Sequence, residues 1–241
     1  MQTQEIKEVY NEIIPNQYKG DYEYNRWFSS PIQKSGYDMT KKSIEQHICK
    51  EKNLTVDRLL ELGPGAGTWT KLLRQKFTNT KFVLVDISKE MLNLSKKTLG
   101  EDNIEYFEID FLEYSSDKKY DFFFSSRVIE YFPDKNFLFD NIYNLLSDKA
   151  SGFIITKTPK YARYKILGRQ VPAMHRTQIS PSDLVTLMKT RGFKDIELYP
   201  VTMVFPRSIL ISKIMYRLFY SIKLNFFSQF FAESYCVKFK K

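Results

Sequence analysis

The segment Arg58–Thr70, RLLELGPGAGTWT, limits the possible fold of this chain more than any other stretch. Its first five residues predict a short buried strand, and three glycines then follow at alternate positions: Gly63, Gly65 and Gly67. Glycine permits positive φ and has no side chain, so such a turn lets the backbone approach a ligand closely. The dinucleotide-binding spacing Gly-x-Gly-x-x-Gly is not met, because Thr68 stands where its third glycine would be.

A second apolar segment, Lys81–Asp86, predicts the next strand and ends in an acid 19 residues after Gly67. A carboxylate at that distance, at the carboxyl end of the neighbouring strand, is placed to accept hydrogen bonds from ribose hydroxyls. A strand, a glycine turn, a helix and a second strand that ends in an acid therefore predict a nucleoside-binding α/β domain.

At these residues the chain resembles the class I S-adenosylmethionine-dependent methyltransferases. The resemblance covers roughly residues 44–199 and rests on ELGPGAG, VLVD, Asp110-Phe111 and SSRVIEYF at Ser125–Phe132. It implies a three-layer, Rossmann-like α/β fold with a mostly parallel seven-stranded sheet and an antiparallel last strand. It also implies S-adenosylmethionine as cofactor and S-adenosylhomocysteine as product. The remaining strands are predicted at Ile104–Asp110, Asp121–Phe124, Gly152–Thr156, Phe193–Tyr199 and Tyr235–Lys240.

The resemblance also places a cofactor site at the carboxyl ends of these strands. It implies that Asp110 receives the adenine amino group and that the backbone N–H of Phe111 contacts the ring. Arg127 and Glu130 are three residues apart and could instead form a helical ion pair. The predicted cofactor-binding residues are Tyr37, Glu61, Gly63, Pro64, Gly65, Gly67, Asp86, Ile87, Asp110, Phe111, Ser126 and Arg127.

The N-terminal part predicts a covering segment. Residues 4–14 predict a helix, and residues 16–40 are rich in aromatic side chains among Gly, Pro and Ser. This composition is too aromatic for a disordered tail and too irregular for a strand, so it indicates either a strap on the sheet or a lid over the ligands. Residues 1–40 are thus predicted as an aromatic cap, and residues 41–241 as the catalytic domain. A helix predicted at Thr40–Lys52 marks the start of that domain.

A basic run follows the fifth strand and indicates the nature of the methyl acceptor. Residues 157–176, within a predicted loop 157–179, contain six Lys or Arg and no acid, which favours an anionic, phosphate-bearing acceptor. His175 is a candidate general base for a hydroxyl acceptor, or alternatively a structural residue. Glu130 and Tyr131 are further catalytic candidates, and the predicted acceptor-binding residues are Arg163, Arg169 and Arg176.

The loop after the fourth strand argues against a nucleic-acid substrate. SSRVIEYFPD lacks the Asp/Asn-Pro-Pro-aromatic element with which related nucleic-acid enzymes grip a base, and neither cysteine follows a proline. Two cysteines and two histidines, unclustered, predict neither a metal site nor a disulfide scaffold. A non-catalytic cofactor-binding partner protein and a basic nucleic-acid binder remain as rival interpretations.

Residues 206–232 predict a helical insertion with many apolar residues and interleaved cations. It could be a core-covering helix with an acceptor lid, or a basic amphipathic segment at a membrane interface. No run of 18 apolar residues and no signal segment is present, so the expected location is cytoplasmic, with peripheral contact at the inner face of the membrane as an option.

The chain in its general features resembles bacterial methyltransferases of glycan or polysaccharide biosynthesis, and this resemblance predicts the acceptor. The first expectation is therefore O-methylation of a sugar, nucleotide sugar or glycan intermediate. The alternative is a lipid or quinone-type acceptor at the membrane surface.

Overall fold

The computed structural model describes residues 3–13, 16, 21–52, 54–159, 177–205 and 208–241. Seven strands form one sheet in the order β3-β2-β1-β4-β5-β7-β6. Their bounds are β1 Arg58–Leu62, β2 Lys81–Asp86, β3 Ile104–Glu108, β4 Tyr120–Ser126, β5 Leu146–Lys157, β6 Lys194–Met203 and β7 Ala232–Lys240.

The strand directions confirm the predicted fold class. β1 pairs in parallel with β2 and β4, and the parallel pairing continues to β3 and to β5. β7 lies antiparallel between β5 and β6, so it is the one strand of the sheet that runs in reverse. The chain passes from β1 outward to β3 and then returns to β4 on the other side. Strand order therefore reverses between β1 and β4, where open α/β sheets form their ligand crevice.

Alternating residues of the strands pack into two apolar cores, one on each face of the sheet. In β4, Phe123 enters one core, and Phe122 and Phe124 enter the other. The first core is covered by α6 (Lys135–Leu145) and α7 (Pro181–Thr190), and the second by α3 (Pro31–Ile44) and α4 (Thr68–Lys76). Helices on both faces of the sheet give the predicted three layers.

The N-terminal segment that was predicted as a strap or a lid is helical over most of its described residues. It contains α2 (Tyr22–Trp27) and the first half of α3, so the predicted domain boundary at residue 40 falls inside a helix. The reason is local capping: the side chains of Asp21 and Ser30 accept hydrogen bonds from backbone N–H groups of these helices, and Pro31 occupies the first turn of α3. The aromatic composition masked these helix starts.

Helix α1 (Thr3–Glu8) continues as a π-helical turn, Val9–Ile13, and α3 continues likewise through Glu45–Cys49. Helix α5 (Lys89–Leu99) begins after Ser88, whose side chain accepts a hydrogen bond from the backbone N–H of Met91. Several predicted strand bounds were wrong by a few residues. β3 ends at Glu108, so Asp110 follows the strand, while β5 begins six residues before Gly152 and β6 extends four beyond Tyr199.

The predicted insertion after β6 contains two short helices, α8 (Ile209–Phe219) and α9 (Phe226–Phe231). The hydroxyl of Tyr216 donates to the carbonyl of Met39 at 2.8 Å, which fixes α8 against α3. Among the described residues, no helix is long and apolar enough to cross a membrane.

Candidate active site

A cavity of about 210 Å³ opens at the carboxyl ends of β1, β2 and β4, at the reversal of strand order. Its floor is the glycine turn after β1, and its sides come from the loops after β2, β3 and β4. Helices α1 and α2, together with the π-helical turn after α1, provide the outer wall through Ile6, Tyr10, Tyr22, Arg26 and Trp27. The site predicted from the strand ends is therefore a real cleft, closed on one side by the N-terminal segment.

The glycine turn has the backbone conformation that its sequence predicts. Gly63, Gly65 and Gly67 all have positive φ, at 68°, 56° and 85°. A Cβ at Gly63 would collide with Val128, whereas one at Gly65 would meet no heavy atom within 4 Å. Gly63 is thus required for packing, while Gly65 faces the open cleft and leaves room for a ligand against the backbone.

Asp86 lies in the cleft wall at the end of β2, as predicted. Its Oδ1 accepts from the backbone N–H of Ser88 at 2.9 Å, and the N–H groups of Gly65 and Ile87 also favour its ionised form. Burial outweighs these hydrogen bonds and raises the pKa of Asp86 to about 6. Hydroxyl donors from a ligand would stabilise the ionised form of this buried carboxylate.

The loop after β3 supplies the next part of the wall. Ile87, Asp110 and Phe111 all line the cleft, and the Phe111 ring is buried. Asp110 Oδ1 accepts from the N–H of Leu112 at 3.0 Å, and the side chain of Asn141 donates to the Phe111 carbonyl at 2.7 Å. These bonds hold the loop in a defined shape beside the cavity.

Three predicted cofactor residues do not line the cavity. Glu61 is buried behind the glycine turn, where it accepts from the Thr70 hydroxyl at 2.8 Å, and burial raises its pKa to about 8. Gly67 packs against helix α5 near Leu99. Tyr37 stacks on Trp69 with ring centroids 5.2 Å apart. These residues support the wall from behind.

Arg127 follows β4 with a φ of 59°, which is unusual for a residue with a side chain. Its Nη2 donates to Thr40 Oγ1 at 2.9 Å, and its Nη1 is buried with no hydrogen-bond partner among the described residues. Burial lowers the pKa of Arg127, and the nearby positive charge of Arg26 lowers it further. Two arginines therefore lie together at the β4 side of the cleft. Ser126, also in the wall, has a buried hydroxyl without a described partner.

Glu130 and Tyr131, the predicted catalytic candidates, face different ways. Glu130 is outside the cleft wall, and its Oε2 accepts from the buried hydroxyl of Thr156 at 3.0 Å. Burial raises its pKa. Tyr131 lines the cleft, and its hydroxyl meets that of Tyr10 at 2.8 Å. Burial also raises the pKa of both tyrosines, which makes them poor bases near neutral pH.

The sequence predicted a helix over residues 4–14 within an N-terminal cap, but it did not assign individual residues of helix α1 to the cleft. Besides Tyr10, its Lys7 pairs with Glu108 at 3.1 Å, and Asn11 Oδ1 accepts from the Ser88 hydroxyl at 2.7 Å in the turn that follows. These contacts hold α1 across the ends of β2 and β3. Ile6 and Tyr10 are four residues apart, as are Tyr22 and Arg26, and that helical spacing was the available signal.

The predicted base His175 and the predicted acceptor-binding residues Arg163, Arg169 and Arg176 lie outside the described residues. So does most of the basic loop 157–179, of which 157–159 and 177–179 are described. The roles of these residues stay predictions.

Residues 33–198 match the family described as "Methyltransferase domain". A malonyl-[acyl-carrier protein] O-methyltransferase of Ilyobacter polytropus is 35% identical over 110 residues, which cover 43% of this chain and 41% of that protein. Juvenile hormone acid O-methyltransferase of Bombyx mori is 25% identical over 177 residues, which cover 65% and 64%. The chain thus spans less than two thirds of either relative.

Solved structures share the fold over nearly the whole chain. Magnesium protoporphyrin IX methyltransferase from Synechocystis, with bound S-adenosylhomocysteine, superposes with a TM-score of 0.65 at 16% identity and covers 99% of this chain and 98% of its own. N-methyltransferase NodS from Bradyrhizobium japonicum, also with S-adenosylhomocysteine, has a TM-score of 0.61 at 13% identity and covers 96% and 98%. At these identities the likeness concerns the fold.

Proposed function

This chain belongs to the methyltransferase domain family, and we propose that it methylates a carboxylate oxygen of a small anionic acceptor. The predicted enzyme class, a methyltransferase that uses S-adenosylmethionine, is confirmed by the family match, with the fold in agreement. The expected resemblance to glycan-biosynthesis methyltransferases finds no support in the comparisons.

The residues of the cleft fit the cofactor. Gly65 leaves its backbone open to a ligand, and Asp86 offers a carboxylate to ribose hydroxyls. Asp110 and Phe111 would hold the adenine beyond β3, and the unpartnered hydroxyl of Ser126 faces the same cavity. When bound, the cofactor supplies a sulfonium methyl group, which is electrophilic enough to react with an aligned nucleophile.

The pair of arginines carries the proposal for the acceptor. Arg26 and Arg127 both line the cleft, and the positive charge of Arg26 lowers the pKa of Arg127, an effect that Glu130 and Glu233 oppose. The Nη1 of Arg127 is buried and has no described partner. An anion between them would relieve the repulsion and complete the hydrogen bonding of a buried guanidinium. A planar carboxylate matches the fork of an arginine especially well. The sequence assigned Arg127 to the cofactor, whereas we assign it to the acceptor.

The proton balance also favours a carboxylate over a hydroxyl. A carboxylate oxygen forms its bond to the methyl carbon while the carbon–sulfur bond breaks, and no proton needs to be removed. Tyr10 and Tyr131 line the described cleft, and their raised pKa values suit them to hydrogen bonding rather than to accepting a proton. Asp134, also in the lining, caps helix α6 by accepting from the N–H of Asn136 at 2.9 Å. The relatives named for malonyl and juvenile hormone acid O-methylation are consistent with this chemistry.

The direct test uses the full chain with cofactor labelled in its methyl group. Candidate acceptors are a malonyl thioester, other short carboxylic acids and the matched amides, with nucleotide sugars as the competing class. Alkali hydrolyses a carboxylate methyl ester and releases volatile labelled methanol, whereas sugar ethers and N-methyl products are stable. We expect alkali-labile label with carboxylates and none with the amides. Alkali-stable label on a sugar, lost in a His175→Ala variant, would instead support the hydroxyl acceptor.

A variant pair then tests the role of Arg127. Arg127→Gln should raise the acceptor KM at least about tenfold, because a charge-assisted hydrogen bond contributes about 1.5–3 kcal/mol. The matched control is Arg74→Gln, a half-buried arginine outside the cleft whose Nη1 donates to the Leu99 carbonyl at 2.7 Å. Cofactor affinity, measured by calorimetry, should stay unchanged in both. Loss of cofactor affinity in Arg127→Gln alone would return this residue to the cofactor site.

A further inference from the structure

Helix α8 exposes a row of large apolar side chains, in addition to the apolar side chains that it packs against the protein. The residues that it buries include Ser212 and Tyr216. Its outward residues at successive turns are Leu210, Ile214 and Leu218, with Leu210 69% exposed. A helix on a protein surface normally turns such residues toward the core. The exposed side chains of Leu210, Ile214 and Leu218 therefore indicate a binding surface.

Helix α9 also exposes large apolar side chains, next to α8. Ser228 is buried and forms a reciprocal capping box with Asn225, while Phe226 is 92% exposed and Phe230 66% exposed. The rings of Phe219 and Phe227 lie 5.5 Å apart and join the two helices. The exposed apolar residues of the two helices and their connection are here termed the C-terminal apolar surface: Leu210, Ile211, Ile214, Leu218, Ile222, Phe226, Phe227 and Phe230.

Cations accompany this surface without any acid. Residues 208–232 contain Lys213, Arg217 and Lys223 and neither Asp nor Glu. Lys213 and Arg217 are exposed, one turn apart on α8, and neither forms an ion pair with a described residue; Lys223 pairs with Glu197 at 2.7 Å. Large apolar side chains flanked by Lys and Arg are the composition of helices that lie in the interface of an anionic membrane.

We propose that the C-terminal apolar surface docks this protein on an anionic lipid bilayer, with Phe226 and Phe230 inserted and Lys213 and Arg217 at the lipid headgroups. No described helix could span a bilayer, so the contact is with the membrane interface. A second copy of the chain fits less well. A symmetric dimer would place identical cations near one another with no acid to neutralise them.

The test measures co-sedimentation of the full chain with sucrose-loaded vesicles. One set contains phosphatidylcholine alone, and the other contains phosphatidylcholine with phosphatidylglycerol. The wild type should bind the anionic vesicles more tightly, and added salt should weaken that binding. Vesicle binding needs neither cofactor nor acceptor, so the result is independent of the proposed methyl transfer.

Two variants separate the apolar and electrostatic contributions. Phe226→Ser with Phe230→Ser should lower the partition coefficient at least about tenfold, because each large apolar side chain contributes strongly to burial in lipid. Lys213→Gln with Arg217→Gln should lower binding to anionic vesicles about fivefold for each cation removed. The control is Phe137→Ser, since Phe137 is 52% exposed on α6, which covers the opposite face of the sheet.

Cofactor affinity and the thermal midpoint establish that each variant is folded, and the charge variant alters exposed side chains only. The proposal is overturned if the wild type binds neutral and anionic vesicles equally or neither of them. It is also overturned if both double variants bind as the wild type does. Self-association that the phenylalanine variant abolishes, without vesicle binding by the wild type, would identify the surface as a dimer contact instead.

Discussion

The pKa of Asp86 leads to a quantitative prediction for cofactor binding. Burial raises this pKa to about 6 from an ordinary value of 3.8. Ribose hydroxyls donate to the ionised carboxylate, so the ligand binds the deprotonated form and lowers the pKa again. At pH 5 only about one molecule in ten is ionised, whereas at pH 8 nearly all are. Cofactor affinity should therefore rise about tenfold from pH 5 to pH 8, with most of the change below pH 7.

The control for this pH dependence is Asp86→Asn. The amide keeps the shape and one acceptor oxygen but does not titrate. At pH 8 the variant should bind cofactor about 10- to 100-fold more weakly, since the lost charge-assisted bonds contribute about 1.5–3 kcal/mol. Between pH 5 and pH 7 the cofactor affinity of the variant should not rise as the wild type's does, because residue 86 no longer titrates.

Isothermal titration calorimetry with S-adenosylhomocysteine measures both effects without turnover. Experiments in two buffers of different ionisation enthalpy would also detect the proton that Asp86 releases on binding near pH 6. If wild type and Asp86→Asn show the same pH slope, or if no proton is released, then Asp86 does not hold the ribose as a carboxylate.

Three further predictions concern the turn, a buried acid and helix α1. Gly65→Ala should weaken cofactor binding at least about tenfold, and the positive φ at this position should lower the free energy of unfolding by about 1–2 kcal/mol. Gly63→Ala should mainly lower the thermal midpoint, because a Cβ at Gly63 would collide with Val128. Burial raises the pKa of Glu61 to about 8 from 4.5, so the stability that Glu61 contributes should fall as pH rises from 4.5 to 8. Glu61→Gln should remove this part of the pH dependence, which thermal melts at pH 5 and pH 8.5 would measure. Tyr10→Phe should speed cofactor release about two- to tenfold in stopped flow, because it loses the 2.8 Å contact with the Tyr131 hydroxyl; unchanged release would mean that α1 does not retain the cofactor.

Much of the cofactor side of the cleft was predictable because its determinants are local in sequence. The strand, the alternate glycines and the helix start lie within 13 residues, and all three glycines adopt the expected positive φ. Asp86 and Asp110 follow from the ends of successive strands, since parallel strands bring their carboxyl ends to one edge. Three predicted residues, Glu61, Gly67 and Tyr37, do not line the cleft, because sequence spacing does not state which side of the chain faces the cavity.

The acceptor side depended on contacts between distant parts of the chain. Arg127 is oriented by Thr40, 87 residues earlier, and Tyr131 meets Tyr10 across 121 residues. Only the folded chain brings Arg26 beside Arg127 and turns the serines of α8 and α9 inward while Leu and Phe face out. The sequence by itself thus determined the strands and the cofactor turn, because these follow from short-range periodicity and backbone sterics. The seven-stranded sheet and its order came from the resemblance to a known family. Tertiary structure decided which charges and apolar faces meet, because such contacts depend on how whole elements pack.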